Sequence, residues 1–163
     1  NFELCIYDIE NILQNSGIFV VLDCLQDPGN MGTIIRLADA FDFSAIIITS
    51  GTVDPFNEKV LRSSMGSVWH IPMRKVENIK DVFDFCDKNE ISTLAMHLKG
   101  NELSEASIKL PCCYFIGNEG NGLTDECTNM CDTMVKIPMA GKAESLNAAS
   151  AASIMGYVLS TKR

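Results

Sequence analysis

Two continuous apolar segments, at residues 18–23 and 45–49, constrain the fold of this chain more than any other feature. Such runs are typical of strands that are covered on both faces of a sheet. Between them lie a turn-rich loop at residues 27–32 and a helical segment from Met31, whose apolar face comprises Ile34, Ile35, Leu37, Ala38 and Phe41. A strand, a helix and a strand within about 30 residues imply a crossover between parallel strands. The sequence therefore predicts an α/β fold with a parallel, Rossmann-like sheet.

The rest of the chain repeats this alternation less regularly. Helices are predicted near residues 57–64, 79–88, 124–131 and 145–161, and strands near residues 93–97, 113–116 and 134–137. No repeat, low-complexity linker or composition break divides the 163 residues, so we expect one domain over residues 1–163. A content of 47% apolar and 21% charged residues excludes a disordered chain. No apolar run reaches the roughly 18 residues of a membrane span.

The cysteines and histidines indicate a reduced protein without a metal. Seven cysteines, an odd number, are scattered along the chain and include the adjacent pair Cys112 and Cys113. This distribution favours free thiols in a reducing cytoplasm. Two histidines, with no CxxC or HExxH spacing, give no basis for a metal site. The chain begins at Asn1 without a signal-peptide pattern, and we interpret it as a fragment that follows an upstream segment.

The net charge of −8 is unevenly distributed along the chain. Up to Glu58 there are nine acidic residues and one base, Arg36, whereas the remainder has twelve of each. This acidity argues against sequence-independent nucleic-acid binding, which depends on a basic surface. Arg36 is therefore an isolated cation in an acidic segment.

Three loops carry residues suited to ligand binding. Ligands of doubly wound sheets lie beyond the carboxyl ends of the strands, here after Asp23, Ile116 and Ile137. The first loop, DPGNMGTIIR, places Asn30 at a predicted helix N-cap and Arg36 about a turn and a half into the helix. Each also has a simpler interpretation, Asn30 as a cap alone and Arg36 as a solvated helix residue.

The second and third loops combine glycines with polar residues. The second, GNEGNGL at residues 117–123, permits close backbone approach to a ligand, but it matches neither the dinucleotide fingerprint nor Walker A. A simple turn would explain its glycines without explaining Glu119. In the third, at residues 137–147, Ser145 is a predicted cap of the last helix. Six small residues at 148–153 then favour close packing against another helix, a ligand or a second subunit.

Three motifs in this order resemble those of a known family. They are N-x-G-x-x-x-R at residues 30–36, G-x-E-x-x-G-L at 117–123 and I-P-M-x-G-x-x-E-S-L-N at 137–147. Together they are similar to the motifs of the SpoU/TrmH family of RNA ribose 2′-O-methyltransferases, within the SPOUT superfamily. The resemblance extends from Ile18 to Tyr157. Leu37 departs from it, because threonine is common at that position.

The resemblance implies a fold and a cofactor. The fold is a parallel α/β sheet with helices on both faces and a C-terminal deep trefoil knot, an exception to the general absence of knots. The cofactor is S-adenosylmethionine, held among the three loops. The matching cofactor-binding positions are Leu98, Gly117, Ile137, Met139 and Leu146.

The resemblance also implies an in-line attack of a ribose 2′-hydroxyl on the cofactor's methyl group. The matching catalytic positions are Asn30, Arg36, Glu119, Ser145 and Asn147. The family assigns removal of the hydroxyl proton to Arg36, but a guanidinium rarely gives up its own proton. Binding of RNA phosphate and stabilisation of the alkoxide is the alternative role. Glu119 either orients Arg36 or Asn30, which we favour, or relays the proton. Ser145 and Asn147 shape the loop and hydrogen-bond the catalytic groups.

Partners follow from the same resemblance. It implies a homodimer through the knotted region, an RNA substrate and, in many relatives, an upstream ribosomal-protein-like RNA-binding domain. The segments DPGN and GTVDPFNEKVLRSSMGS favour ribosomal RNA over transfer RNA. In the latter, Lys59, Arg62, Ser63 and Ser64 form either an RNA-facing helix or a solvated amphipathic one. The alternatives are a non-catalytic dimeric RNA-binding module of the same fold and another kind of nucleotide-binding enzyme.

Overall fold

The computed structural model describes residues 17–162, and within them six strands and five helices. The strands are β1 (Ile18–Leu22), β2 (Ala45–Thr49), β3 (Met73–Val76), β4 (Ser92–Glu102), β5 (Cys112–Ile116) and β6 (Thr133–Lys136). The helices are α1 (Pro28–Ala40), α2 (Glu58–Ser63), α3 (Ile79–Lys88), α4 (Asp125–Met130) and α5 (Ala148–Ser160), with a 3₁₀ turn at Ser67–Trp69. None of these helices is long and apolar enough to cross a bilayer.

The strands form one parallel sheet in the order β3-β2-β1-β5-β4-β6. Residues of β1 alternate between two cores because successive side chains point to opposite faces. Ile18, Val20 and Leu22 pack with α1 and α5, whereas Phe19 and Val21 face the core formed with α3 and α4. Helices therefore cover both faces, which confirms the predicted α/β architecture.

Both predicted helix caps are wrong by a few residues. Helix α1 begins at Pro28 and is capped by Asp27, whose carboxylate accepts the Asn30 backbone N–H at 2.8 Å. The reason is that proline has no N–H to donate and suits the first helical position. Helix α5 is capped by Asn147, which accepts backbone N–H groups of Ala149 and Ser150, and not by Ser145. Asn30 therefore lies inside α1, with its side chain released from capping.

Strand β3 is absent from the sequence prediction. Its residues, MRKV, include two exposed cations, Arg74 and Lys75, and lie at the edge of the sheet. An edge strand buries fewer side chains, so no continuous apolar run marks it. Strand β4 also extends to Glu102, past a shift in its pairing with β6 between Met96 and Asn101.

The small residues of α5 pack against the chain itself. Ala149, Ala152 and Gly156 are buried, and α1 lies against this helix. A Cβ on Gly156 would approach the Phe43 ring to 2.8 Å. Ala149 and Ala152 therefore pack against another helix, whereas Ala148 and Ala151 of the same run line a cavity beside the loop after β5.

Candidate active site

Three polar side chains from the three loops are joined by hydrogen bonds. Asn30 donates through Nδ2 to Glu119 Oε1 at 3.0 Å, and Asn147 donates through Nδ2 to Asn30 Oδ1 at 2.9 Å. Strands β1 and β5 are neighbours with Leu22 opposite Ile116, so the loops that follow them leave the sheet side by side. The sheet thus unites residues that are 89 and 117 positions apart in the chain.

Glu119 also binds the backbone of the first loop. Its Oε1 accepts the Asp27 N–H at 2.8 Å and its Oε2 accepts the Gln26 N–H at 3.1 Å. Because Asp27 caps α1, Glu119 fixes the start of the helix as well as the amide of Asn30. Of the two residues that Glu119 was expected to orient, the structure places Asn30 against it.

These contacts determine the charge of Glu119. Partial burial raises the pKa of the carboxyl, but hydrogen bonds from the Asn30 side chain and from the backbone N–H groups of Asp27 and Gln26 outweigh that effect. The pKa therefore lies below its ordinary value. Glu119 is ionised at neutral pH, as an acceptor of several hydrogen bonds requires.

We expect Glu119→Gln to lower the free energy of unfolding by about 1 kcal/mol at neutral pH, because an amide cannot accept all of these hydrogen bonds. A carboxyl whose pKa is depressed by folding contributes fully above its unfolded-state pKa, near 4.5, and loses that contribution as the pH falls through the folded-state pKa. Urea unfolding at decreasing pH should therefore show the stabilities of wild type and variant converging. Glu105→Gln, at an exposed carboxylate, is the matched control. A wild-type-to-variant difference that does not change with pH would contradict this role.

A cavity of about 290 Å³ opens beside Glu119. All five expected cofactor-binding residues line it: Leu98, Gly117, Ile137, Met139 and Leu146. Ser145 and Glu119 also line it, so seven of the ten predicted site residues surround one space. The carboxyl ends of β5 and β6 and the middle of β4 supply its walls, and ligands of doubly wound sheets lie at such strand ends.

Gly117 is required by the geometry of the cavity wall. A Cβ at this position would overlap backbone atoms of Gly122 and Leu123. The loop folds back on itself here, with Asn118 and Gly122 exchanging backbone hydrogen bonds of 3.0 and 2.8 Å. Any side chain at residue 117 would therefore displace the loop that carries Glu119.

Arg36 lies apart from these residues. It is exposed on α1, it does not line the cavity of its own chain, and within residues 17–162 it forms no ion pair. Asn30 and Asn147 do not line the cavity themselves. Asn30 is hydrogen-bonded to Glu119, which does line it, and Asn147 is hydrogen-bonded to Asn30. The structure thus brings together every predicted site residue except Arg36.

The family model that describes the SpoU rRNA methylase family matches residues 17–157 of this chain. The match includes every loop and side chain described above. The chain belongs to the SpoU rRNA methylase family.

Curated relatives of this SpoU-family chain are named as RNA methyltransferases. An uncharacterized tRNA/rRNA methyltransferase of Archaeoglobus fulgidus is 34% identical over 95% of this chain and 69% of that protein. The 23S rRNA (guanosine(2553)-2′-O)-methyltransferase RlmP of Bacillus subtilis is 37% identical over 86% of this chain. The match covers 56% of RlmP, so this chain corresponds to little more than half of that relative.

Solved structures share the fold. The SpoU methyltransferase AviRb from Streptomyces viridochromogenes superposes with a TM-score of 0.88 at 32% identity, covering 96% of this chain and 63% of AviRb. AviRb in complex with the cofactor AdoMet superposes with a TM-score of 0.87. The chain therefore shares the parallel α/β fold of SpoU methyltransferase structures.

Several groups of this SpoU-type site were not predicted from the sequence. Met96, His97 and Lys136 line the cavity, and Asn118 forms the turn that presents Glu119. The Asp27-Pro28 pair was a usable signal, because aspartate before proline marks a helix start. Met96, His97 and Lys136 had no comparable sequence signal, because strands come together only after the sheet has formed.

None of the cysteines within residues 17–162 lines this cavity. The six described cysteines are free, whereas Cys5 lies outside the described residues. Burial raises the pKa of Cys112 to about 12, so this thiol stays protonated at neutral pH. Among the described residues, no group of three or more histidine, cysteine or acidic side chains is arranged to hold a metal ion.

Proposed function

We propose that this chain transfers a methyl group from S-adenosylmethionine to a ribose 2′-hydroxyl of structured RNA. The observation that carries the proposal is the hydrogen-bonded series Asn147, Asn30 and Glu119 beside a cavity that is lined by the family's cofactor positions. The names of RlmP and AviRb as methyltransferases support the same reaction class.

The cavity is suited to the cofactor. Its volume of about 290 Å³ is near the lower limit of small-molecule sites, about 300 Å³. Leu98, Ile137, Met139 and Leu146 supply apolar contacts, and Gly117 leaves backbone accessible where a side chain would not fit. Bound there, S-adenosylmethionine supplies an electrophilic methyl group on a sulfonium. We propose that these five residues hold it.

The polar series positions the reaction. Glu119 and Asn147 each hold a side-chain atom of Asn30, which fixes the starts of α1 and α5 to the loop after β5. Ser145 shapes the cavity wall. A site that holds two reactants aligned can lower the barrier by roughly 7–11 kcal/mol. Transfer of a methyl group from a cation to a developing alkoxide also neutralises charge, which a site with little water favours.

We infer that Arg36 acts across a homodimer. Its side chain is exposed and lies outside its own cavity, so it is free to reach the cavity of a second copy. Helix α5, which packs on α1, exposes 60% of Tyr157 and 39% of Ile154, a surface suited to a second subunit. In the partner's cavity, Arg36 would bind RNA phosphate and stabilise the alkoxide, or assist loss of the hydroxyl proton.

We further propose that the C-terminal segment is threaded as a deep trefoil knot. The supporting contacts lie around β4, which pairs with β6 on both sides of its irregularity, at Met96 with Val135 and at Glu102 with Lys136. A Cβ on Gly100 would come within 2.6 Å of the Met134 and Val135 backbone. This close approach of the β4 and β6 backbones supports the proposed threading.

Ribosomal RNA is the proposed substrate, in preference to transfer RNA. RlmP is named as a 23S rRNA methyltransferase, and a 35% identical Streptomyces viridochromogenes relative is named as a 23S rRNA (uridine(2479)-2′-O)-methyltransferase.

The six free thiols support a cytoplasmic location for this activity.

Titration calorimetry with S-adenosylmethionine tests the cofactor site directly. We expect saturable heat, and ligand at 100 times its Kd should stabilise the folded state by about 2.7 kcal/mol. Absence of both effects in protein with an α/β circular dichroism spectrum would contradict the proposed function. Incorporation of labelled methyl groups into 23S rRNA or tRNA transcripts then distinguishes the two substrates, and RNA binding without transfer would indicate the non-catalytic module.

A further inference from the structure

A basic segment without acidic residues follows helix α2's start. Residues 59–76 contain four lysines and arginines, one histidine and no aspartate or glutamate, in a chain whose net charge is −8. Of the four residues predicted on an RNA-facing helix, Lys59 and Arg62 are exposed, whereas Ser63 is half-buried and Ser64 is buried. Ser63 packs where Gly32 has no side chain, and Ser64 is fully buried.

Apolar side chains are exposed on the same segment. Met65 is 73% exposed and Trp69 is 65% exposed, the two largest values among the exposed apolar side chains of the described residues. The Phe56 ring lies 5.9 Å from the Trp69 ring and is tilted by 38°. The indole thus packs near Phe56 while most of Trp69 stays exposed to solvent.

Two cations accompany this aromatic pair on the short helix α2. Lys59 and Arg62 are three residues apart within that helix, which places them on the same side of it, and Phe56 and Met65 lie just outside its two ends. The side chains of Lys59 and Arg62 are 61% and 72% exposed. Arg62 contacts Glu58 at 3.4 Å in an exposed ion pair, which contributes little stability and leaves the guanidinium available to phosphate. We call Phe56, Lys59, Arg62, Met65 and Trp69 the Trp69 surface.

The Trp69 surface adjoins the candidate active site. Lys59 lies 3.9 Å from the carboxylate of Asp27, which caps α1 and is held by Glu119. On the other side, His70 contacts Asp39 at 3.0 Å, three residues beyond Arg36 on α1. Nucleic acid on this surface would therefore extend toward both Arg36 and the first turn of α1, which carries Asn30.

We propose that the Trp69 surface binds a single-stranded segment of RNA next to the methylated nucleotide, with one base stacked on the Trp69 indole and neighbouring phosphates on Lys59 and Arg62. This rests on the proposed function. An exposed aromatic ring between cations is the arrangement with which proteins bind unpaired bases. A contact between two copies of this chain would not require Lys59 and Arg62 at the surface, whereas binding of a phosphate backbone requires cations.

Tryptophan fluorescence tests the proposal without a mutation, because Trp69 is the one tryptophan of the chain. Titration with a 12-nucleotide oligoadenylate should quench the emission saturably, since the stacked base contacts the indole. An abasic oligomer of the same length and charge should bind more weakly and leave the emission unchanged. Equal quenching by both oligomers, or by neither, would overturn the stacking.

Variants supply an independent measurement. Trp69→Ala should weaken binding of fluorescein-labelled oligoadenylate about tenfold, measured by anisotropy, while Trp69→Phe retains most of it. Met130→Ala removes a side chain that is 38% exposed on α4 and is the matched control. If Trp69→Ala alters self-association in sedimentation and leaves oligoadenylate binding unchanged, the surface belongs to a second copy and the proposal is wrong.

The outcome is separable from that of the proposed function. Protein that binds S-adenosylmethionine and methylates RNA, yet shows no base-dependent quenching, overturns the Trp69 surface alone. Protein that binds no S-adenosylmethionine but shows the quenching contradicts the methyl-transfer proposal and retains this RNA-binding surface.

Discussion

Replacing Arg36 with alanine is expected to reduce methyl transfer about 1,000-fold while S-adenosylmethionine binding is retained. The loss corresponds to about 4 kcal/mol, the value of one donor aimed at a developing oxyanion. Binding should survive because Arg36 does not line the cavity of its own chain. Single-turnover methylation of an RNA transcript gives the rate, and calorimetry gives the cofactor affinity.

Controls separate the possible roles of Arg36. Arg74→Ala removes an exposed arginine from edge strand β3 and should leave the rate unchanged. Arg36→Lys tests the need for planar guanidinium geometry, and substantial activity in this variant would count against that need. Loss of cofactor binding together with activity in Arg36→Ala would make the arginine structural.

Mixed dimers test whether Arg36 acts across subunits. Arg36→Ala and Glu119→Ala are each expected to be nearly inactive alone. If the sites are composite, a mixed dimer contains one site with both residues intact, and mixing should restore a measurable fraction of wild-type activity. No recovery in a mixture shown to exchange subunits would place Arg36 in the site of its own chain.

Replacing Gly117 with alanine is expected to abolish cofactor binding and to destabilise the fold. The new Cβ would overlap the backbone of Gly122 and Leu123, so the loop after β5 must move. Overpacking of this kind costs about 3 kcal/mol, which lowers Tm by about 10 °C in a chain of this size. Thermal unfolding and S-adenosylmethionine titration measure the two effects.

Gly141 provides the matched control for Gly117. It lies in the third loop, and a Cβ there would meet no atom within 4 Å. Gly141→Ala should therefore keep both Tm and cofactor binding. Normal cofactor affinity in Gly117→Ala would contradict the assignment of this glycine to the cavity wall.

Helices and strands with a strong apolar pattern were predictable from the sequence. Helix α3 was predicted at residues 79–88 and lies at Ile79–Lys88, and strand β2 was predicted at its observed bounds. Edge strand β3 was not, because its exposed cations conceal it. The helix starts were misplaced because several capping residues compete nearby, and only the folded backbone shows which oxygen meets an N–H group.

The motifs identified most of the candidate site residues before their geometry was known. Seven of the ten line one cavity, and Asn30 and Asn147 are connected by hydrogen bonds to Glu119, one of those seven. Their roles as cofactor and catalytic residues remain predictions. The partner of Glu119 could not be chosen from the sequence, because Arg36 and Asn30 lie on the same helix and face different directions.

The sequence alone determined the parallel α/β class and the family, because continuous apolar strands and three ordered motifs are local patterns that survive without coordinates. Tertiary structure alone decided that Glu119 holds Asn30, that Arg36 is exposed without lining its own cavity and that Trp69 is exposed beside cations. The physical reason is that hydrogen-bond partners and exposure depend on which strand ends become neighbours, and the order of strands in a sheet is not written in any single segment.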